Sequence, residues 1–242
     1  MKKIIIMGAS SGMGYGVAKM FIEDGWKVGV AARRMEKLEE LKALAPDRVI
    51  CHQIDVCSAD SHTLLRKFIE EMGGIDYYFH ASGLGLQNPE LIAEKEDNTM
   101  MVNVVGFTKL IVEVFNYMKV NGGGHIGIIS SVAGTKGLGV APSYSASKRL
   151  QYSYLQSLSQ LSNINHYNIT FTDIRPGFVA TEFLNPNKKY PLMISKERAS
   201  KIIYKALLNK KRVKTFDWKF RIIVTFWRSI PNYIWERMKV QN

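Results

Sequence analysis

Cysteine is nearly absent: Cys51 and Cys57 are the only two in 242 residues. Two thiols cannot build a disulfide framework or a four-cysteine zinc site, and their scarcity fits a reducing, cytoplasmic compartment. Long apolar runs are also missing. No stretch reaches 18 apolar residues, so no spanning helix is expected. The first apolar run ends at Gly8, too short for a signal-peptide core, and reads as a strand. His52, His62, His80, His125 and His166 have no carboxylate or cysteine at ligand spacing, so no metal site is expected. There is no internal repeat, low-complexity tract or linker. Acid is the scarcer charge, with 21 Asp and Glu against 33 Lys and Arg, a net of +12 and a pI of about 9.6. At 46% apolar and 22% charged, wholesale disorder and fibrous repeats are excluded.

The positive charge is uneven. Residues 211–242 hold eight basic residues (Lys211, Arg212, Lys214, Lys219, Arg221, Arg228, Arg237, Lys239) against Asp217 and Glu236, a net of +6. Three of the four tryptophans, Trp218, Trp227 and Trp235, lie there too. Trp218, Ile222, Phe226 and Ile230 recur every four residues, with Ile223 and Trp227 beside them, until Pro231 breaks the helix. Such a stripe edged by basic residues suits a membrane surface over residues 216–240, or else packs on the body or a partner subunit. Nucleic acid is not expected, because no reading motif accompanies the charge.

Upstream, short β-branched runs alternate with longer helical stretches. Strands are expected at 3–7, 27–32, 49–54, 76–80, 125–130 and 169–174, with a short one at 213–216. Helices are expected from the first glycine-rich turn to about 24, then at 34–44, 58–72 (opened by Ser58), 91–120, 144–161 and 195–209. This order predicts an α/β fold: one doubly wound parallel sheet of about seven strands over residues 1–210, helices on both faces, and a basic aromatic helical extension over 211–242.

The first strand runs into Gly8, Ala9, Ser10, Ser11, Gly12, Met13 and Gly14. Glycines spaced this way let bare backbone approach a pyrophosphate, with the next helix's amides and dipole facing it. The spacing is G-x-x-x-G-x-G rather than G-x-G-x-x-G. The second strand ends at Arg33 and Arg34, with no acid to bind a ribose 2′-hydroxyl. Arg33, and less directly Arg34, suits a 2′-phosphate, which favours NADP(H) over NAD(H). Asp55, followed by Val56, either accepts from an adenine amino group or is a helix N-terminal acid.

After the fifth strand come Ser130 and Ser131, and thirteen residues past Ser131 comes Tyr144, with Lys148 four further on. Tyr144 and Lys148 share a helix face. An ammonium beside a phenol is expected to lower its pKa toward neutrality, so that it exchanges a proton with a carbonyl or alcohol oxygen held by Ser131. Ser130 reads as a packing residue.

Gly8/Gly12/Gly14, Asn103, Ser131, Tyr144/Lys148 and Pro176-Gly177 occur in an order that resembles the short-chain dehydrogenase/reductase family, over roughly residues 1–210. The resemblance implies a Rossmann-like NAD(P)-dependent oxidoreductase. It implies Tyr144 as acid/base and Ser131 as the residue that orients substrate. Lys148 would also bind the nicotinamide ribose, and Asn103 would hold a water in a relay with Lys148. The loop of Pro176, Gly177, Val179 and Thr181 would hold the carboxamide. Where the family commonly carries Asn-Asn-Ala-Gly, this chain has His80, Ala81, Ser82 and Gly83, with Ala81 and Gly83 along the adenosine ribose. His80 then replaces a structural hydrogen bond. A homodimer or homotetramer through helices at 103–119 and 144–161 is also implied.

The substrate pocket is expected to be walled by Leu84, Leu86, Val132, Leu138, Val140, Phe178 and Phe183, with residues 184–195 as a lid. No arginine or lysine is obviously aimed at a substrate anion, Lys136 being the one candidate. Apolar walls point to a lipophilic ketone or aldehyde. The competing class is a dinucleotide-sensing or scaffold protein that lost turnover. The complete Ser131, Tyr144, Lys148 and Asn103 set argues against it.

Overall fold

The computed structural model describes residues 1–180, 190 and 192–240. Ile4–Met7 has no exposed residue, as expected of a parallel strand covered on both faces. This strand, β1 (Lys3–Met7), pairs in parallel with β2 (Lys27–Ala32) on one side and β4 (Tyr77–His80) on the other. With β3 (Val49–Gln53), β5 (Gly124–Ile129), β6 (Ile169–Arg175) and β7 (Val213–Thr215), the described residues form one seven-stranded parallel sheet in the order 3-2-1-4-5-6-7. Ile4 and Ile6 face a core with α1 (Gly12–Glu23), α2 (Glu36–Lys42) and α7 (Lys196–Leu208), filled by Phe21, Leu38 and Leu207. Ile5 and Met7 face the opposite core, where α3 (Ser61–Glu71), α5 (Phe107–Val120) and α6 (Pro142–Ile164) supply Phe68, Ile111 and Leu155.

Three helical stretches differ from expectation in ways that bear on the site. Helix α3 opens at Ser61 with Asp60 as its cap position; Ser58 instead gives its hydroxyl proton to the Asp60 carboxylate. Helix α2 is shorter than 34–44, leaving Arg33 and Arg34 outside it. The long helix is α4 (Ala93–Met100) joined to α5 by a π-helical turn, Met101–Gly106, which carries Asn103. This run, residues 93–120, contains an 18-residue window of mean hydropathy 1.2, apolar enough by composition to cross a membrane. Its Phe107, Leu110, Ile111, Val114 and Met118 are fully buried in the core, which makes it a core helix.

The extension folds back on the body. Helix α8 (Trp218–Ser229) buries Phe220 and Val224 against Val132, Phe178 and Leu192. After Pro231, α9 (Asn232–Trp235) is pinned by Trp235 Nε1 donating to the Gly137 carbonyl at 2.7 Å. Lys136 Nζ donates to the Ile230 carbonyl (2.8 Å) and Asn232 Oδ1 (2.7 Å). Lys136, the one candidate to meet a substrate anion, is therefore a clamp on the extension.

Candidate active site

Because every strand is parallel, the carboxyl ends of β1 to β6 lie along one edge, and the strand order reverses between β1 and β4. The glycine-rich turn sits at that crevice. Gly8 has φ +91°, and a Cβ there would lie 2.6 Å from the Ser82 nitrogen; one at Gly14 would lie 2.2 Å from the Gly8 carbonyl oxygen. No side chain fits at either point, and the turn stays bare backbone. Ser11 stands in extended conformation at the start of α1 without a side-chain cap, and the first turn carries no acid. The helix start thus keeps its positive end toward the crevice. Met13 reaches the cleft.

At the end of β2, Gln53 Nε2 donates to the Arg33 carbonyl at 2.8 Å, and Arg34 Nη2 lies 3.5 Å from Ser10 Oγ. Both arginines are exposed beside the turn. Asp55 Oδ1 accepts the Cys57 N–H at 2.9 Å, so it closes its own turn, and α3 begins too late for Asp55 to be its N-terminal acid. Val56 is buried next to it. Ala81, Gly83, Pro176, Gly177 and Val179 line the cleft. Thr181 and Phe183 lie outside the described residues, as does most of the expected lid. Ile194, at the lid's far end, bonds back to Phe178 and Ala180.

Ser131, Tyr144 and Lys148 line the floor of the cleft, and Asn103 is buried behind it beside Gly83 and near Lys148. The Ser131 hydroxyl accepts from the Ala133 N–H at 3.1 Å and lies beside the Tyr144 phenol, where it acts to lower the phenol's pKa. Burial raises the Tyr144 pKa above its ordinary value, and the Ser131 hydroxyl offsets this only in part. That corrects the expected lowering by Lys148. The ammonium lies 5.9 Å from the centre of the Tyr144 ring and is committed elsewhere, to the Ile129 carbonyl (2.9 Å) and Gln151 Oε1 (3.0 Å). Burial lowers the Lys148 pKa to about 8, with the Asp173 carboxylate working in the opposite direction.

Asn103 is held rigidly. Its Oδ1 accepts from the Leu84 N–H (2.8 Å), and its Nδ2 donates to the Leu84 carbonyl (2.8 Å) and Ser147 Oγ (3.0 Å). Its main-chain carbonyl, offered by the π-helical turn, accepts from Gln151 Nε2 at 2.8 Å. Gln151 is the residue the motif reading missed. Its only sequence signal is a position three past Lys148 on the same helix face.

Of two further neighbours, Ser130 differs from expectation and His80 makes the structural hydrogen bond expected of it. Ser130 is not mere packing: its hydroxyl donates to the buried Asp173 carboxylate, which also accepts from Arg175 Nε at 2.6 Å. His80 Nδ1 pairs with the Tyr78 hydroxyl at 3.0 Å, and burial, aided by the Lys148 charge, lowers its pKa to about 3. His80 is therefore a neutral structural partner at ordinary pH.

Above this floor opens a cleft of about 670 Å³. Leu84, Leu86, Val132, Leu138, Val140 and Phe178 wall it as expected. Tyr190, Leu192, Phe220, Ile223, Trp227 and Val240 complete it, most of them from the extension. A carbonyl oxygen placed here would meet two hydroxyl donors, Tyr144 and Ser131, in apolar surroundings.

Fold and site together define a dinucleotide-binding α/β oxidoreductase. The short chain dehydrogenase family matches residues 2–191, and the chain belongs to it. It is 32% identical to an uncharacterized oxidoreductase of Mycobacterium tuberculosis over 217 residues, covering 85% of this chain and 84% of that one. It is 31% identical to human retinol dehydrogenase 8 over 191 residues, covering 75% of this chain and 60% of that one. In fold it is similar to an alcohol dehydrogenase of the archaeon Thermococcus sibiricus, complexed with 5-hydroxy-NADP. The TM-score is 0.76 at 24% identity, over 89% of this chain and 94% of that one. The protein is an NAD(P)-dependent short-chain oxidoreductase acting on alcohol or carbonyl groups.

Proposed function

We propose that the protein is an NADPH-dependent reductase of a lipophilic carbonyl compound, with Tyr144 as proton donor. The observation that carries this reading is the juxtaposition of the Tyr144 and Ser131 hydroxyls at the floor of an apolar cleft beside a bare phosphate-binding turn. Bound NADPH supplies the hydride. Residues Gly8 to Gly14 hold its pyrophosphate, Arg33 with Arg34 its 2′-phosphate, and Asp55 with Val56 its adenine. Ala81 and Gly83 pass along the ribose, and Pro176, Gly177 and Val179 hold the carboxamide. Ser131 orients the substrate oxygen. Tyr144, its pKa raised by burial, keeps its proton until that oxygen takes it. Lys148, tethered by Gln151 and Ile129, binds the nicotinamide ribose and feeds the proton path. The names of the human relative, a retinol dehydrogenase, and of the archaeal structure, holding an NADP derivative, support a lipophilic substrate and this cofactor. Exposed Val105 and Val112 on the Asn103–Lys119 stretch, and Leu161 and Ile164 on α6, support self-association through those helices. Cys51 and Cys57 are both free thiols, in keeping with a cytoplasmic setting.

The test is NADPH consumption with a panel of hydrophobic ketones, wild type against Tyr144→Phe. The variant should bind NADPH normally and lose roughly 10²–10⁴-fold in kcat. Turnover that survives Tyr144→Phe removes the assignment. NADPH binding with no turnover of any ketone by wild type favours a dinucleotide sensor.

A further inference from the structure

Helix α8 is apolar on two opposite faces. Phe220 and Val224 are buried and Trp227 faces the cleft, all turned toward the body. Roughly half a turn away, Trp218, Ile222 and Phe226 recur every four residues and stand 68%, 59% and 66% exposed. Lys219, Arg221 and Arg228 separate the two faces, and α8 contains no acidic residue. A cationic helix with two aromatic residues bare to solvent has an unmatched surface.

We infer that this outer face docks the protein on an anionic lipid bilayer. The chemistry is complementary at each level: tryptophan suits the headgroup depth, isoleucine and phenylalanine the acyl boundary, and lysine and arginine the lipid phosphates. A second copy of the chain is a poor fit. In a two-fold pairing the same patch meets itself, which would set the +6 of residues 211–242 against an equal charge. A nucleic acid is poorer still, since the Trp218, Ile222 and Phe226 stripe carries no Asn, Gln or Arg to read a base edge. The inner face of α8 forms part of the pocket wall through Phe220, Ile223 and Trp227, so docking sets the substrate cleft beside the membrane. A lipophilic molecule then passes from bilayer to cleft around one helix.

Co-sedimentation with vesicles tests this without turnover, so its outcome is independent of the catalytic assignment. The probes are phosphatidylcholine vesicles with and without phosphatidylglycerol, at low and high salt. Full-length protein should bind the anionic vesicles and release in high salt. Trp218→Ser/Ile222→Ser/Phe226→Ser and, separately, Lys219→Glu/Arg221→Glu should each weaken binding by at least about tenfold. NADPH binding is the check that both variants fold. Wild type left in the supernatant with anionic vesicles at low salt overturns the inference, as does a triple variant that binds like wild type. Light scattering that shows wild type to be a larger oligomer than the triple variant also overturns it, in favour of a second copy.

Discussion

Gln151 holds Lys148 from one side: its Oε1 accepts from the lysine Nζ at 3.0 Å, while its Nε2 reaches back to the Asn103 carbonyl at 2.8 Å. The expectation of a water between Asn103 and Lys148 therefore meets a side-chain amide that already spans them. With a pKa of about 8, Lys148 carries its charge below that pH and loses it above. A proton path that needs the ammonium weakens as pH rises. The value of kcat/KM for ketone reduction should thus fall on the alkaline side with a midpoint near pH 8. Gln151→Leu removes an acceptor from a buried cation, worth about 1.5–3 kcal/mol, and should move that midpoint down by about one to two pH units. Gln151→Glu places a carboxylate there and should move it up. A purely structural role for Gln151 would lower activity at every pH and leave the midpoint in place.

Arg33→Ala should weaken NADPH binding by about ten- to a hundredfold and leave NADH nearly unchanged, since a lost charge-assisted pair costs roughly 1.5–3 kcal/mol. Fluorescence titration with both dinucleotides reads this directly. Equal effects on the two would show that Arg33 does not contact the 2′-phosphate.

Phe220 is the anchor of the extension, buried against Val132 and in contact with Phe178. Phe220→Ala should cost about 3 kcal/mol in the attachment of α8. Hydrogen exchange over residues 218–229 would read this as roughly hundredfold more frequent opening. The same change enlarges the cleft, so bulkier ketones should gain in kcat/KM relative to small ones. Unaltered exchange would show that the segment is held mainly by Trp235 and Lys136.

Strands β1 to β7 were legible to within a residue or two, because parallel strands covered on both faces are short apolar runs between turn residues. The Gly8–Gly14 turn and the Tyr144/Lys148 spacing were legible because the chemistry restricts residue type and position. Gln151 was not, since its partner carbonyl comes from a π-helical turn 48 residues away and a lone helical glutamine has no signature. The high pKa of Tyr144 was hidden because burial is a tertiary property. In residues 218–229 the four-residue period announced an apolar stripe, but a period cannot say which face meets the body. Two faces proved apolar, and the buried one forms part of the pocket wall.

Gly177 lies directly under the Phe220 ring: a Cβ on it would come within 2.3 Å of that ring. Two parts that a chimera builder would treat as separate modules are thereby keyed to one another. Grafting this carboxyl-terminal segment onto a related scaffold demands a residue without a side chain at position 177, and swapping the loop around 177 demands a new ring or a gap at 220. Drift at either site is constrained by its counterpart, although neither position belongs to a proton-transfer motif.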